Sequence, residues 1–249
     1  MTEDLEMNSK EWFDYSHKNR AFYPAADIKT PVSSKRIWRK FIQLLDNKDY
    51  RIVDFGCGLG ITLHCLEKLG YKNLYGIDIS DVIPDKFLKN AKFVQGDIVD
   101  SKFESAYFDA LISNQTIEHV RDDLFVDEIS RVLKPNGIAW ISSVLRPKLA
   151  WYFYKNENGE RVLEPTHLKE YRSINEFKDV FLDKFEIIDI DTTGVFYPVI
   201  DPIFRIAFEI TKLDAFRILP AKSPFFRKMR KIKFPILGYR GIEALLRKR

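Results

Sequence analysis

The chain has 249 residues, 45% hydrophobic and 31% charged, with 11 Gly and 11 Pro. That composition suits one large folded unit or a core with a modest cap, and it excludes fibrous and disordered chains. The formal charge of +4 is uneven: residues 201–249 carry 13 Lys/Arg against 4 Asp/Glu, leaving +9 there and −5 in the first 200 residues.

The two cysteines, Cys57 and Cys65, cannot build a disulfide framework, and the four histidines show no CxxC or HExxH spacing, so no metal is expected. The acidic start, MTEDLEMNSKEWFDY, lacks the basic-then-apolar pattern of a secretory signal, which predicts a cytoplasmic location. Arg205, Glu209 and Lys212 break the most apolar stretch, so a membrane-spanning helix is excluded while attachment to a membrane surface is not.

Residues 1–32 are polar with interspersed aromatics (Trp12, Phe13, Tyr15) and His17, and read as a lid segment ahead of the core. From Ser33 to Asp46, Ile37, Phe41, Leu44 and Leu45 share one helical face behind capping serines. Arg51 to Phe55 reads as a strand that runs into Gly-Cys-Gly-Leu-Gly and a helix ending at Gly70. Strands follow at Asn73–Ile79, Ala91–Val94 and Phe108–Ser113, a helix at Leu124–Leu133 closed by Lys-Pro-Asn-Gly, and a fifth strand at Ile138–Val144. A polar loop (Asn156–Glu160), a helix near Ser173–Leu182 and a strand at Phe185–Asp191 come next. Strands alternating with helices predict an α/β sandwich on a parallel sheet, which binds ligands at the carboxyl ends of its strands.

The glycine turn narrows the ligand. Gly56, Gly58 and Gly60 miss the third position of the GxGxxG dinucleotide fingerprint, because residue 61 is Ile. Asp54, two residues earlier, would repel a pyrophosphate, and the Gly-Lys-Ser/Thr of a P-loop is absent. A cationic ligand without phosphate fits better.

Val53-Asp54-Phe55-Gly56-Cys57-Gly58-Leu59-Gly60 resembles the first motif of class I S-adenosylmethionine-dependent methyltransferases. Gly76-Ile77-Asp78-Ile79-Ser80, Gly96-Asp97-Ile98, Phe108 to Val120 and Leu133 to Gly137 resemble the segments that follow it, in order, over roughly residues 33–145. The resemblance is to the small-molecule, ubiquinone-biosynthesis type (methyltransferase type 11). It implies a Rossmann-like, seven-stranded, mostly parallel sheet with helices on both faces. It also implies S-adenosylmethionine as cofactor: Asp54, Gly56, Cys57 and Gly58 around the methionine part, Asp78 on the ribose hydroxyls with Ile79 on the adenine face, Asp97 and Ile98 at the adenine, and Asn114 near the reactive methyl. Glu118, His119 and His167 stand as candidates for taking a proton from a hydroxyl acceptor.

The segment after the fourth strand, Ser113-Asn114-Gln115-Thr116, lacks the Asn/Asp-Pro-Pro-Tyr signature of amino-group methylation, which favours oxygen and a small-molecule or lipid-linked acceptor. Arg240–Arg249 resembles the family's final strand, so the core is expected over 33–193 and 239–249, with 194–238 inserted as a helical cap. Its 203–233 stretch interleaves basic and large apolar residues, as an anionic membrane surface would require. The other readings are an RNA or protein methyltransferase and a non-catalytic cofactor-binding partner; nucleic acid is disfavoured by the modest basic density.

Overall fold

The computed structural model describes residues 35–81, 91–148, 150, 154–156, 158–164, 166–198, 228 and 232–249. The expected lid over 1–32, its aromatics and His17, and the helical cap between 199 and 231 apart from Lys228, lie outside the described residues.

Among the described residues the first elements are α1 (Lys35–Leu44), β1 (Arg51–Phe55), α2 (Ile61–Lys68), β2 (Asn73–Asp78), β3 (Ala91–Gln95) and β4 (Phe108–Asn114). A one-turn 3₁₀ helix (Ile117–His119), α3 (Asp122–Val132), β5 (Leu133–Leu145), the short hairpin β6 (Tyr154–Lys155) and β7 (Arg161–Val162), α4 (Ile174–Asp179), β8 (Phe185–Pro198) and β9 (Lys233–Lys248) follow. Seven strands form one sheet in the order β3-β2-β1-β4-β5-β9-β8. The first five are parallel, and β9 runs antiparallel to both neighbours.

The central strands are buried on both faces, as their largely apolar runs require: Ile52 to Phe55 and Ala110 to Ser113 are all buried, with Asp54 and Ser113 the polar residues among them. One face packs Phe55, Phe108 and Ile141 against Phe125 and Ile129 of α3 and Phe177 of α4. The other packs Trp140 and Ile112 against Ile37, Trp38 and Phe41 of α1 and Leu63 and Leu66 of α2. Trp38 meets Trp140 edge-on at 5.4 Å between ring centroids. Each large side chain so buried contributes roughly 1.5–3 kcal/mol. Arg36 and Lys40 fasten α1 across to Asp189 on β8 at 2.7 and 2.9 Å.

Two departures from the sequence reading have physical causes, and the polar loop is found where it was read. The Lys-Pro-Asn-Gly turn does not separate α3 from β5 but lies within β5, where Leu133 already pairs with Phe108 and the register shifts before Ala110 meets Ile138. Asn136 takes the positive φ (63°) that such an irregularity needs. The polar loop Asn156–Glu160 is a hairpin turn, closed by Asn156 Oδ1 accepting from the amides of Asn158 and Glu160 at 3.1 and 3.0 Å. Finally, β8 and β9 run on to Pro198 and Lys233, so paired backbone takes in both ends of the segment expected to be an insertion. Because β9 begins beyond the carboxyl end of β5, the paired residues Pro198 and Lys233 lie on the edge of the sheet where β1, β2 and β4 end.

Candidate active site

β1 and β2 end level, with Asp54 opposite Gly76 and Phe55 opposite Ile77. The chain then turns through Gly56, Gly58 and Gly60, all with positive φ (75°, 49° and 71°), a path that side-chain-bearing residues follow only at a cost. At Gly56 a Cβ would also lie 2.5 Å from Thr116 Cγ2 and Oγ1, so the turn can approach the end of β4 this closely only as glycine. Ile77 O accepts from the amides of Gly56 (2.9 Å) and Cys57 (3.1 Å).

Asp78 is the hub of this edge. Its Oδ2 accepts from Gly58 N at 2.7 Å, and its Oδ1 from Ser80 N and Oγ at 2.9 and 2.7 Å. A carboxylate has about four acceptor sites, so three protein donors fix it while leaving room for a further hydroxyl. Asp54 is the opposite case. It is buried, and its Oδ1 has no hydrogen-bond partner. Burial, with the Asp78 charge beside it, pushes its carboxyl up to about 8, against the pull of a hydrogen bond from Thr62.

The remaining predicted cofactor residues divide. Cys57 turns inward: a Cβ on Gly76 would lie 2.8 Å from its Sγ, and burial, ahead of the Asp54 and Asp78 charges, holds its thiol far above the usual range. With its amide on Ile77 O and its carbonyl accepting from Gly60 N at 2.8 Å, it serves packing and the turn itself. Ile79 is half-buried beside Asp78. Asp97 is exposed at the end of β3, where its Oδ1 accepts from Val99 N at 3.0 Å in an Asx-type turn, and Ile98 is buried in the core under α3. Asn114 Oδ1 accepts from Ser142 Oγ at 2.6 Å, tying the end of β4 to β5.

Glu118, His119 and His167 come together. A carboxylate oxygen of Glu118 and one nitrogen of each ring lie within 4.8 Å of one another, and the rings meet edge-on at 4.7 Å. The loop after β7 is stitched to the end of β4, because Glu118 O accepts from Leu168 N at 2.8 Å and Lys169 N at 3.3 Å. A parallel bridge from Leu145 to Tyr171 holds the same loop against β5. Glu118 is buried with Oε2 accepting from Ser143 Oγ at 2.8 Å; burial lifts its carboxyl to about 7 despite the nearby His167. Burial alone would lower His167, but its hydrogen bond to Glu170 and the charges of Glu118 and Glu164 outweigh that and raise it. His119 Nδ1 lies 3.2 Å from Thr166 O, and His167 Nδ1 lies 2.6 Å from Glu170 Oε1. Two imidazoles and a carboxylate could also gather a cation, since a ring whose Nδ1 meets an acceptor has Nε2 left for either a metal or a proton.

Sequence reasoning missed Thr62, Ser80, Ser143 and Glu170. Only Glu170 had a signal, the His-x-x-Glu spacing of 167–170; the others are small hydroxyl residues, Ser80 bonded to Asp78, Thr62 to Asp54 and Ser143 to Glu118, and a lone hydroxyl carries no spacing of its own.

The sequence model described as a methyltransferase domain matches residues 53–141, the stretch from the end of β1 through β5 that holds the glycine turn, Asp78 and Glu118. The ubiquinone biosynthesis O-methyltransferase of Bartonella tribocorum is 25% identical over 204 residues, covering 75% of this chain and 81% of that protein. The motif order, the sheet order and this match agree. The chain is an S-adenosylmethionine-dependent methyltransferase. Among solved structures, the methyltransferase superposes on the [4+2]-cyclase SpnF with a TM-score of 0.58 at 16% identity, covering 95% of this chain and 92% of that one. It also superposes on the geranyl diphosphate C-methyltransferase of Streptomyces coelicolor A3(2), with a TM-score of 0.54 at 14% identity over 86% of this chain and 79% of that one. Those two likenesses concern the fold, which carries several chemistries.

The methyltransferase's cofactor is S-adenosylmethionine, and the edge suits it. A buried carboxyl group with one unpartnered oxygen, that of Asp54, stands beside a turn of bare backbone, with the Asp78 carboxylate next to it. A pyrophosphate would be repelled by Asp78 and would hold Asp54 protonated, whereas a positively charged ligand favours both carboxylates.

Proposed function

We propose that this methyltransferase transfers a methyl group to a hydroxyl oxygen of a small, largely apolar acceptor, and that the Glu118–His119–His167 cluster takes the hydroxyl proton. The observation that carries this reading is the cluster itself: buried Glu118 and half-buried His119 after β4, with buried His167 on the loop held against β4 and β5, on the same edge as the glycine turn. The relative from Bartonella tribocorum, named as an O-methyltransferase, supports oxygen as the target.

In this reading Asp54 holds the cofactor's ammonium, Gly56 and Gly58 give its methionine part room, and Asp78 accepts from a ribose hydroxyl. Ile79 and Ile98 offer apolar surface to the adenine and Asp97 accepts from its amino group. Asn114, fixed by Ser142, borders the reacting centre. When bound, S-adenosylmethionine supplies an electrophilic methyl on a sulfonium. The chain's own part is to orient, exclude water and accept the proton; orientation in favourable cases contributes about 7–11 kcal/mol.

The acceptor is amphiphilic and reached from an anionic membrane surface. Support comes from the basic and apolar composition of 203–233 in the sequence, together with the pairing of Pro198 with Lys233 at the site's edge of the sheet. Sedimentation with vesicles of phosphatidylglycerol and phosphatidylcholine at low salt should carry the protein down, and charge reversal at Arg227, Lys228, Arg230 and Lys231 should leave it in solution. Equal binding by the reversed variant removes the proposal. For the reaction, an extract incubated with enzyme and heavy-methyl donor should show a labelled product by mass spectrometry that is absent without enzyme. No labelled product in extracts that contain membranes would refute it.

A further inference from the structure

The proton-handling cluster holds two histidines, and their surroundings separate them. His119 is half-buried and its Nδ1 faces a neutral carbonyl, Thr166 O. His167 is 3% exposed and its Nδ1 faces a carboxylate, Glu170 Oε1, at 2.6 Å. Glu170 in turn has no freedom: its side chain is fully buried, Oε1 also accepts from Leu163 N at 2.6 Å, and Oε2 accepts from Tyr239 OH at 3.1 Å. Arg146 adds charge without a directed bond, its Nε lying 3.3 Å from Oε2. The backbone of His167 is fixed as well, its amide donating to Glu164 O at 3.1 Å and its carbonyl accepting from Asn156 Nδ2 at 3.3 Å.

We propose that Glu170 is a positioning residue that holds His167 with its proton on Nδ1 and its lone pair on Nε2, making His167 rather than His119 the general base of the methyl transfer. A carboxylate with several fixed donors can only accept from the imidazole, so Nδ1 donates and Nε2 is left as the basic nitrogen. The same carboxylate stabilises the imidazolium that forms, which a carbonyl does more weakly. This inference rests on the hydroxyl-acceptor reading above. In the step it serves, the acceptor oxygen bonds to the methyl carbon, the carbon–sulfur bond breaks with its electron pair on sulfur, and the hydroxyl proton moves to Nε2. The imidazolium later gives that proton to water.

The groups facing His167 are Glu118 and His119 from the turn after β4, Glu164 and Glu170 from its own loop, and, through Glu170, Arg146 at the end of β5 and Tyr239 of β9. Glu118 and Glu164 remain when Glu170 is neutralised, so the substitution isolates one contribution.

The test compares wild type, Glu170→Gln and Glu170→Asp in two ways. In ¹⁵N-histidine NMR, wild-type His167 should show a proton on Nδ1, and Glu170→Gln should titrate it at lower pH. With S-adenosylmethionine and a catechol bearing a long alkyl chain, Glu170→Gln should lower kcat by roughly 10- to 100-fold, leave the KM for the cofactor unmoved and shift the acid limb of the profile downward. Glu170→Asp should recover part of kcat, and Glu170→Gln added to His167→Asn should cost nothing further. A Glu170→Gln variant that melts lower but keeps kcat and the His167 titration makes Glu170 a structural strut and overturns the proposal, as does an Nε2-protonated ring in the wild type. A wild type inert towards the catechol counts against the acceptor reading alone, and the NMR result then decides whether Glu170 sets the ring.

Discussion

Asp54→Asn should make the protein more stable and a poorer binder at once. The carboxyl is buried with an unpartnered oxygen, and it rises from 3.8 to about 8 on folding. A carboxyl whose folded value is raised is tolerated below its unfolded value and loses stability as pH climbs towards the folded value. At about 1.4 kcal/mol per pH unit, folding at pH 7 therefore costs about 4 kcal/mol as a ceiling, because the side chain must take up a proton. Asparagine has nearly the same volume and needs no proton. Its advantage should be near zero around pH 4, grow with pH and level off above about 8. Cofactor affinity should fall by roughly 10- to 100-fold as a charged hydrogen-bond partner is lost. Denaturant unfolding of both proteins without cofactor at several pH values, with calorimetric titration of S-adenosylmethionine, reads both effects. A variant less stable than wild type at pH 7, or one that binds the cofactor equally well, refutes the reasoning.

Asp78→Ala should weaken S-adenosylmethionine by roughly 1–3 kcal/mol, since it removes an acceptor and also releases Gly58 and Ser80; calorimetry showing unchanged affinity in a folded variant would falsify the assignment. Gly56→Ala should lower Tm, because the positive φ costs about 1–2 kcal/mol and the new Cβ displaces Thr116; adding Thr116→Gly should return the second part and not the first. Prolonged dialysis against a chelator should leave turnover of the labelled acceptor unchanged, whereas a loss restored by one divalent cation would reassign Glu118, His119 and His167 to metal binding.

The parallel half of the sheet was legible because its strands are short apolar runs punctuated by glycine and Asp, each residue reporting its own local geometry. Arg51–Phe55 and the glycine turn emerge as read, since burial on both faces and positive φ leave few other sequences possible. The Lys-Pro-Asn-Gly irregularity inside β5 was not legible, because the same residues that end a helix also serve a register shift, and the difference lies in the partner strand. The reach of β8 and β9 was hidden for the same reason: Thr192 to Pro198 carry no alternation of their own, and pairing decides them. Within the site, Asp54 and Asp78 were found by their place at strand ends. Glu118, His119 and His167 were found as types, while their meeting depends on backbone bonds between residue 118 and residues 168 and 169, which no local pattern encodes. Glu170 escaped notice because its meaning arises only once Tyr239 and Arg146 surround it.

Cofactor carrying a ¹³C methyl group, incubated with the enzyme and a membrane-containing extract, lets carbon NMR report the atom that receives the methyl. The account predicts an enzyme-dependent signal with the shift of a methyl ether; a signal in the range of methylamines or of carbon-bound methyls would contradict it.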